Sequence, residues 1–274
     1  MKRSRTIRAI LLNLVAWFGS MFVLIPLVLI ILNAFKGNNE TLTMTMALPK
    51  TWNWENFKVV FEKGKLGTSF LNSLLYSSVS TILTVFFGGM AAYVFSRRRS
   101  KGFSILYMYL VLGMVIPVNY ISLMKVMQIT HLNNTQHGII FLYTALQTPF
   151  TVFLYYGFVS KIPKELDEAA VIDGCGPISL YFRVILPLLK PAAVTSGVLC
   201  FLNTWNEFIM PLYFLNSSNK WPVTLSVYNF FGQYEMSWNL ICADVLMTCL
   251  PVILVYLLGQ KYIVGGQTAG AVKG

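Results

Sequence analysis

Four of the ten Asp and Glu in the sequence crowd into one short run, Glu165, Asp167, Glu168 and Asp173 of KELDEAAVIDG. Carboxylates beside Ala169 and Ala170 offer charge-assisted hydrogen bonds to Arg or Lys on a surface that the small alanines let come close. The plainer alternative is that the acids only stabilise a helix start, where each contributes about 0.3–1 kcal/mol against the macrodipole.

Other residues that could do chemistry are few. An Asp or Lys at mid-helix in a membrane costs about 2.5–3.5 kcal/mol on insertion scales, so acids in apolar runs need a reason to be there. Glu207, with Asn203, Trp205 and Asn206, can hydrogen-bond a hydroxyl-bearing ligand. The same residues can hold neighbouring helices together, which is the preferred reading. Asp244 is expected near the outer surface, wetted and without a role. Cys175, Cys200, Cys242 and Cys249 show no paired spacing and read as small buried hydrophobes. His131 and His137 flank a short loop with no third ligand nearby, so no metal site is expected. No GxxxxGK[ST] phosphate loop occurs, and no nucleophile, base or metal set clusters at one height.

The elements that must position these residues are set by composition. Of the 274 residues, 56% are hydrophobic and 11% charged, against roughly a quarter charged in a soluble domain. Apolar runs recur, which makes the chain an all-α, multi-pass membrane protein. Six spans are expected: Ala9–Phe35, Ser69–Ser96, Phe103–Lys125, Gly138–Ser160, Pro191–Leu215 and Leu240–Tyr262. The first begins like a signal peptide but stays apolar too long and lacks a small-x-small cleavage site, so it reads as an uncleaved helix. No internal repeat or hinge divides the chain, and residues 1–274 read as one membrane domain.

The net charge of +11 does not point to nucleic acid, because the basic residues punctuate the ends of apolar runs instead of forming a stripe. With the N-terminus inside, Lys and Arg favour the cytoplasmic side two to one, and RRRSK at Arg97–Lys101 weighs most. Both termini then lie inside, and the acidic run falls in the long cytoplasmic loop at about 160–190. Anionic lipids repel carboxylates at that face, so the acids serve something other than lipid.

Within that loop Pro163 suits a first helical turn, and Leu166, Ala169 and Ala170 form a small apolar face. Gly174 can take the left-handed conformation that ends such a helix. A second helical piece spans about Pro177–Leu186, carrying Leu180, Tyr181 and Val184, and Pro187 and Pro191 re-aim the chain into the next span.

The run resembles the EAA loop of ABC-importer permeases: Glu168-Ala169-Ala170, Asp173-Gly174, Phe182 and Ile185-Leu186-Pro187, with Cys175 where the family usually has Ala. IPKEL, LPLLKPA, NTWNEFIMPL and the tail QKYIVGGQTAGAVKG extend the resemblance to the MalG-type permeases of maltose and related sugar importers, over nearly the full chain.

The resemblance implies an ABC type I importer permease fold of six transmembrane helices with a cytoplasmic coupling helix. Glu165, Glu168, Ala169, Ala170, Asp173, Gly174, Leu186 and Pro187 would then serve coupling to an ATPase. The tail at about 262–274 would reach between ATPase subunits through Ala269, Gly270, Ala271, Val272, Lys273 and Gly274. The implied partners are a MalF-type second permease, two ATP-binding-cassette ATPases that hold ATP and Mg, and an extracellular or periplasmic solute-binding protein. The implied home is a bacterial cytoplasmic (inner) membrane. This chain would bind no cofactor and perform no catalysis.

In the family the outer loop at Asn216–Asn239 can reach the binding protein, which makes Trp221, Tyr228 and Phe231 candidates for docking. Interfacial aromatic belts explain these residues equally well. The loop Lys36–Thr68 is a second candidate surface. An ion-driven sugar carrier is the alternative reading, and it would want paired intramembrane carboxylates or helices broken near the midplane.

Overall fold

The computed structural model describes residues 2–98, 100–231 and 237–271, and side chains within 10–260 of these. The architecture is all helical. Leaving aside single-turn pieces, the helices are α1 (Lys2–Ala34), α2 (Glu55–Lys63), α3 (Leu66–Arg97), α4 (Lys101–Leu112), α5 (Tyr120–Ile129) and α6 (Gln136–Val159). There follow α7 (Glu165–Ile172), α8 (Pro177–Leu188, with a π turn at Tyr181–Ile185), α9 (Lys190–Trp205), α10 (Ile209–Phe214) and α11 (Trp238–Ala271).

Among the described residues, four helices are long and apolar enough to cross a membrane: Ile10–Ala34, Leu66–Arg97, Gln136–Val159 and Trp238–Gln260. Helices suit that setting because they satisfy every interior backbone group within one segment. The pair α8 and α9, bent by 77°, makes a fifth candidate by length and composition.

The expected third span, Phe103–Lys125, is not one helix. The 12-residue α4 covers only about 18 Å of a hydrocarbon core of roughly 30 Å. The helix ends before Pro117, which lacks an N–H and disfavours α geometry at Ile116. Asn119 then caps α5, its side chain accepting from Ser122 N at 3.0 Å. The expected fifth span, Pro191–Leu215, is likewise interrupted between Trp205 and Ile209.

The chain divides into two compact units. One comprises Met1–Gly67 with Ser226–Leu250, the other Thr68–Leu225 with Pro251–Gly274. In the first unit the C-terminus of α1 is tied off by side chains. Asn56 Nδ2 donates to the Ala34 and Lys36 carbonyls at 2.8 and 2.9 Å, taking up acceptors that a helix end leaves open. Asn239 Nδ2 in turn donates to Asn56 Oδ1 at 2.9 Å.

Lys36, just past the end of the first apolar run, is fully buried. Its ammonium donates to Asn33 Oδ1, the Thr45 carbonyl and Thr45 Oγ1 at 2.7–3.2 Å, beside the negative end of α1. Phe35 packs on Trp52, Trp54 and Phe57 with ring centroids 4.8–5.1 Å apart, so the loop expected as a docking surface is a folded knot. Its two tryptophans still present more than half their surface. Asp244 is also buried, not wetted; Ser226 Oγ lies 2.9 and 3.0 Å from its two oxygens.

The second unit holds the core that matters for the acidic loop. Ala92 of α3, Val152, Tyr155 and Val159 of α6, Ala170 of α7, Leu180, Tyr181 and Ile185 of α8 and Ala192 of α9 form one buried cluster. The loop is therefore seated on the helices that flank it and does not hang free.

Replacing Asn56 by Ala strands the Ala34 and Lys36 carbonyls. The expected loss is about 1–3 kcal/mol, seen as a lower Tm of the detergent-solubilised protein.

Candidate functional site: the acidic loop

Helix α7 starts at Glu165, with Lys164 as its N-cap and Pro163 just before the cap, one step earlier than the expected first turn. Glu165, Asp167 and Glu168 occupy the first turn, where the exposed backbone N–H groups favour negative charge. The helix ends in a Schellman motif: Gly174 N–H bonds the Val171 carbonyl at 3.0 Å and Cys175 N–H bonds Ala170 O at 2.9 Å. Gly174 carries φ +82°, the left-handed conformation expected of it. Cys175 packs against the same cluster as Ala170, the apolar contact that accompanies this cap.

The two sides of α7 have different fates. Glu165, Glu168, Ala169 and Ile172, spaced i, i+3, i+4 and i+7, are all exposed and share one face. Ile172 is 85% exposed, and Val171 and Ile178 beside it are 62% and 74% exposed. Asp173, Gly174 and Pro187 are exposed too, while Leu186 is half-buried against the core.

On the other side Ala170 is 7% exposed and sits in the core. The expected single face of Leu166, Ala169 and Ala170 is thus split: Ala170 packs inward while Ala169 looks out. Asp167 is not an outward docking carboxylate either. Arg97, the last residue of α3, grips it with a fork: Nε to Oδ2 at 2.7 Å and Nη2 to Oδ1 at 3.1 Å. Both terminal nitrogens of Arg97 also donate to the Ile162 carbonyl at 3.1 Å, and Tyr93 OH donates to Asp167 Oδ2 at 3.2 Å.

The other candidates lie apart from this loop. Glu207 sits in the break between α9 and α10, where Oε1 accepts from Ile209 N at 2.8 Å and Met210 N at 3.2 Å. That caps the start of α10 and occupies one oxygen of the carboxylate. Trp205 is buried between Phe70 and Phe201. Asn203 is exposed, and the Asn206 side chain bonds back to Leu202 O at 2.9 Å.

Trp221 is half-buried and donates its indole N–H to Leu215 O at 2.9 Å, which takes it out of a simple surface role. Tyr228 and Phe231 are each 38% exposed and pack together at 5.4 Å. Ala269, Gly270 and Ala271 close α11, whereas Val272, Lys273 and Gly274 lie outside the described residues. Of the cysteines, Cys200 and Cys242 are buried as expected, but Cys249 is exposed.

Sequence reasoning missed two residues. Arg97 counted only as a topology charge. Gln147, whose Nε2 donates to Thr204 Oγ1 at 2.6 Å and so ties α6 to α9, passed unnoticed. A strongly polar amide inside an apolar run was the available signal for it.

Residues 84–264 match the family model described as the inner membrane component of binding-protein-dependent transport systems. This chain belongs to that family.

A probable starch degradation products transport permease of Thermoanaerobacterium thermosulfurigenes is 35% identical over 249 residues, 90% of this chain and 91% of that protein. The melibiose/raffinose/stachyose import permease of Bacillus subtilis is 32% identical over 277 residues and the full length of both chains. Among solved structures, a chain of a bacterial ABC transporter that imports the acidic polysaccharide alginate superposes with a TM-score of 0.83. That chain is 22% identical, with 95% of this chain and 98% of that one covered, and establishes a common fold.

If Glu207 is a cap, Glu207→Ala should cost about 1 kcal/mol of stability, while Glu207→Gln keeps an acceptor and most of that stability. Thermal unfolding in detergent checks the ordering.

Proposed function

We propose that this chain is the MalG-type permease subunit of an ATP-binding-cassette importer for a sugar or oligosaccharide, docking through α7 onto a separate ATPase. The observation that carries the reading is the outward face of α7. Glu165, Glu168, Ala169 and Ile172 are exposed together on a helix whose opposite side is fixed to the chain's own core. A patch combining two carboxylates, an alanine that permits close approach and a fully presented isoleucine suits a basic, apolar-floored groove.

Asp173 and Gly174 shape the exit from that patch, and Leu186 and Pro187 carry the loop back toward α9. Ala170 belongs to the reading as the residue that lets α7 sit close on its own bundle. The relatives that support a sugar cargo carry it in their names: starch degradation products for one, melibiose, raffinose and stachyose for the other.

In the full reading the chain forms one membrane domain and crosses six times, α4 with α5 and α9 with α10 each completing a crossing. Both termini lie in the cytoplasm of a bacterium. A MalF-type permease pairs with it, two ATPase subunits bind ATP and Mg, and a solute-binding protein delivers cargo from outside. Trp221, Tyr228 and Phe231 serve that delivery as docking residues for the binding protein. The polar segment Asn203–Glu207, at the end of α9 and the break after it, lies beside the translocation path. The tail Ala269–Gly274 reaches toward the ATPases. Chemistry is left to the partner: ATP hydrolysis supplies the closing motion, and this chain receives it through α7.

Glu168→Lys reverses the sign of the docking face, and Gly174→Pro forbids the φ of +82° that ends α7. Both should leave the protein in the membrane and cut sugar uptake by about tenfold or more. Uptake of a labelled sugar panel in cells carrying each variant, with membrane levels measured in parallel, is the check. Normal uptake by both variants contradicts the docking role. Uptake that stops when the membrane potential is collapsed with ATP still present would favour an ion-driven carrier instead.

A further inference from the structure

The acidic loop is attached covalently to α6 and α9, but it has a third attachment that the chain order does not supply. Arg97 ends α3, and Asp167 and Ile162 lie in the loop 65–70 residues later. The guanidinium makes four hydrogen bonds there, two to the carboxylate and two to the backbone carbonyl, and Tyr93 one turn earlier adds a fifth contact. The pair is largely withdrawn from water, with side chains 13% and 17% exposed. A planar fork on a carboxylate resists shear as well as separation, which a single Lys–carboxylate contact does not. Beneath it, Ala92 of α3 and Ala170 of α7 share the buried cluster.

Resting on the proposed docking role of α7, we infer that the Arg97–Asp167 clasp passes movement of α7 to α3. Arg97 and Asp167 are then positioning residues: they touch neither ATPase nor cargo, but fix which membrane helix follows the docking helix. Without the clasp α7 still has its outward face, its capped end and its two covalent neighbours. Nucleotide turnover by a docked ATPase can then continue while α3 no longer follows.

The test uses the assembled transporter in nanodiscs, with ATP–Mg and vanadate as the only ligands. A single reporter cysteine replaces Leu71, 65% exposed near the other end of α3, in a chain whose four native cysteines are substituted. Its reaction rate with a maleimide is measured with and without nucleotide. In the chain with an intact clasp, ATP–vanadate changes the labelling rate. In Arg97→Ala and Asp167→Ala the change should shrink by about tenfold while ATP hydrolysis stays within about twofold. The charge swap Arg97→Asp with Asp167→Arg should restore part of the response.

A full nucleotide response in both alanine variants overturns the inference. Loss of the assembled complex in the alanine variants and the swap alike also overturns it, since the pair would then serve folding only. The docking reading is followed separately by cross-linking an Ala169→Cys variant, which keeps both carboxylates of the face, to the ATPase. If that cross-link fails with the clasp intact, the docking role and this inference fall together. A sound cross-link with unchanged coupling removes this inference alone.

Discussion

An eight-residue helix does not hold its shape alone in water, because nucleation consumes more conformational freedom than two turns of hydrogen bonds return. Everything distinctive about the acidic loop follows from how α7 escapes that limit. Its inward side is fixed by Ala170 in the core and by the fork of Arg97 on Asp167. Its end is closed by Gly174 and Cys175. What the chain has thereby stabilised it has not covered: Glu165, Glu168, Ala169 and Ile172 stay in solvent. A large apolar side chain presented almost whole, beside carboxylates and on a supported helix, is what the proposed docking role requires.

The same need to satisfy polar groups internally organises the rest of the described structure. Asn56 closes the end of α1, Glu207 opens α10, and Thr135 and Asn119 cap α6 and α5 with their own side chains. Lys36 is held by three oxygens at a helix end where its charge is favoured. These devices give the polar residues they involve structural roles inside the chain, whereas the exposed carboxylates of α7 face away from its core.

How much of this was legible in sequence depends on the range of the interaction. Gly174 is a local signal: a glycine after a short Ala-bearing helix takes the left-handed position, and it does. The helix ahead of Ile185-Leu186-Pro187 was equally local, but it runs on through Pro187 to Leu188, and the 77° bend follows there instead of at the proline. Pro117 was visible, but the weight of apolar residues on both sides hid its effect, and α4 and α5 were read as one span. Asp167 and Arg97 could not be paired by reading along the chain, because the contact spans 70 residues and an acidic run looks uniform until one member turns inward. The burial of Lys36 was hidden for a related reason: charge at the end of an apolar run usually meets water, and here a folded loop supplies the oxygens instead.

The claim that bears the most weight is that the outward face of α7 is covered by a nucleotide-driven partner. Hydrogen–deuterium exchange of the loop at about 160–190, compared between the isolated chain and the assembled transporter in the same nanodiscs, tests it directly. The account predicts that the amides from Glu165 to Ile178 gain protection in the assembly, and that the gain changes between nucleotide-free and ATP-bound states. Equal exchange of that segment in the two samples, with protection appearing only elsewhere on the chain, would contradict it.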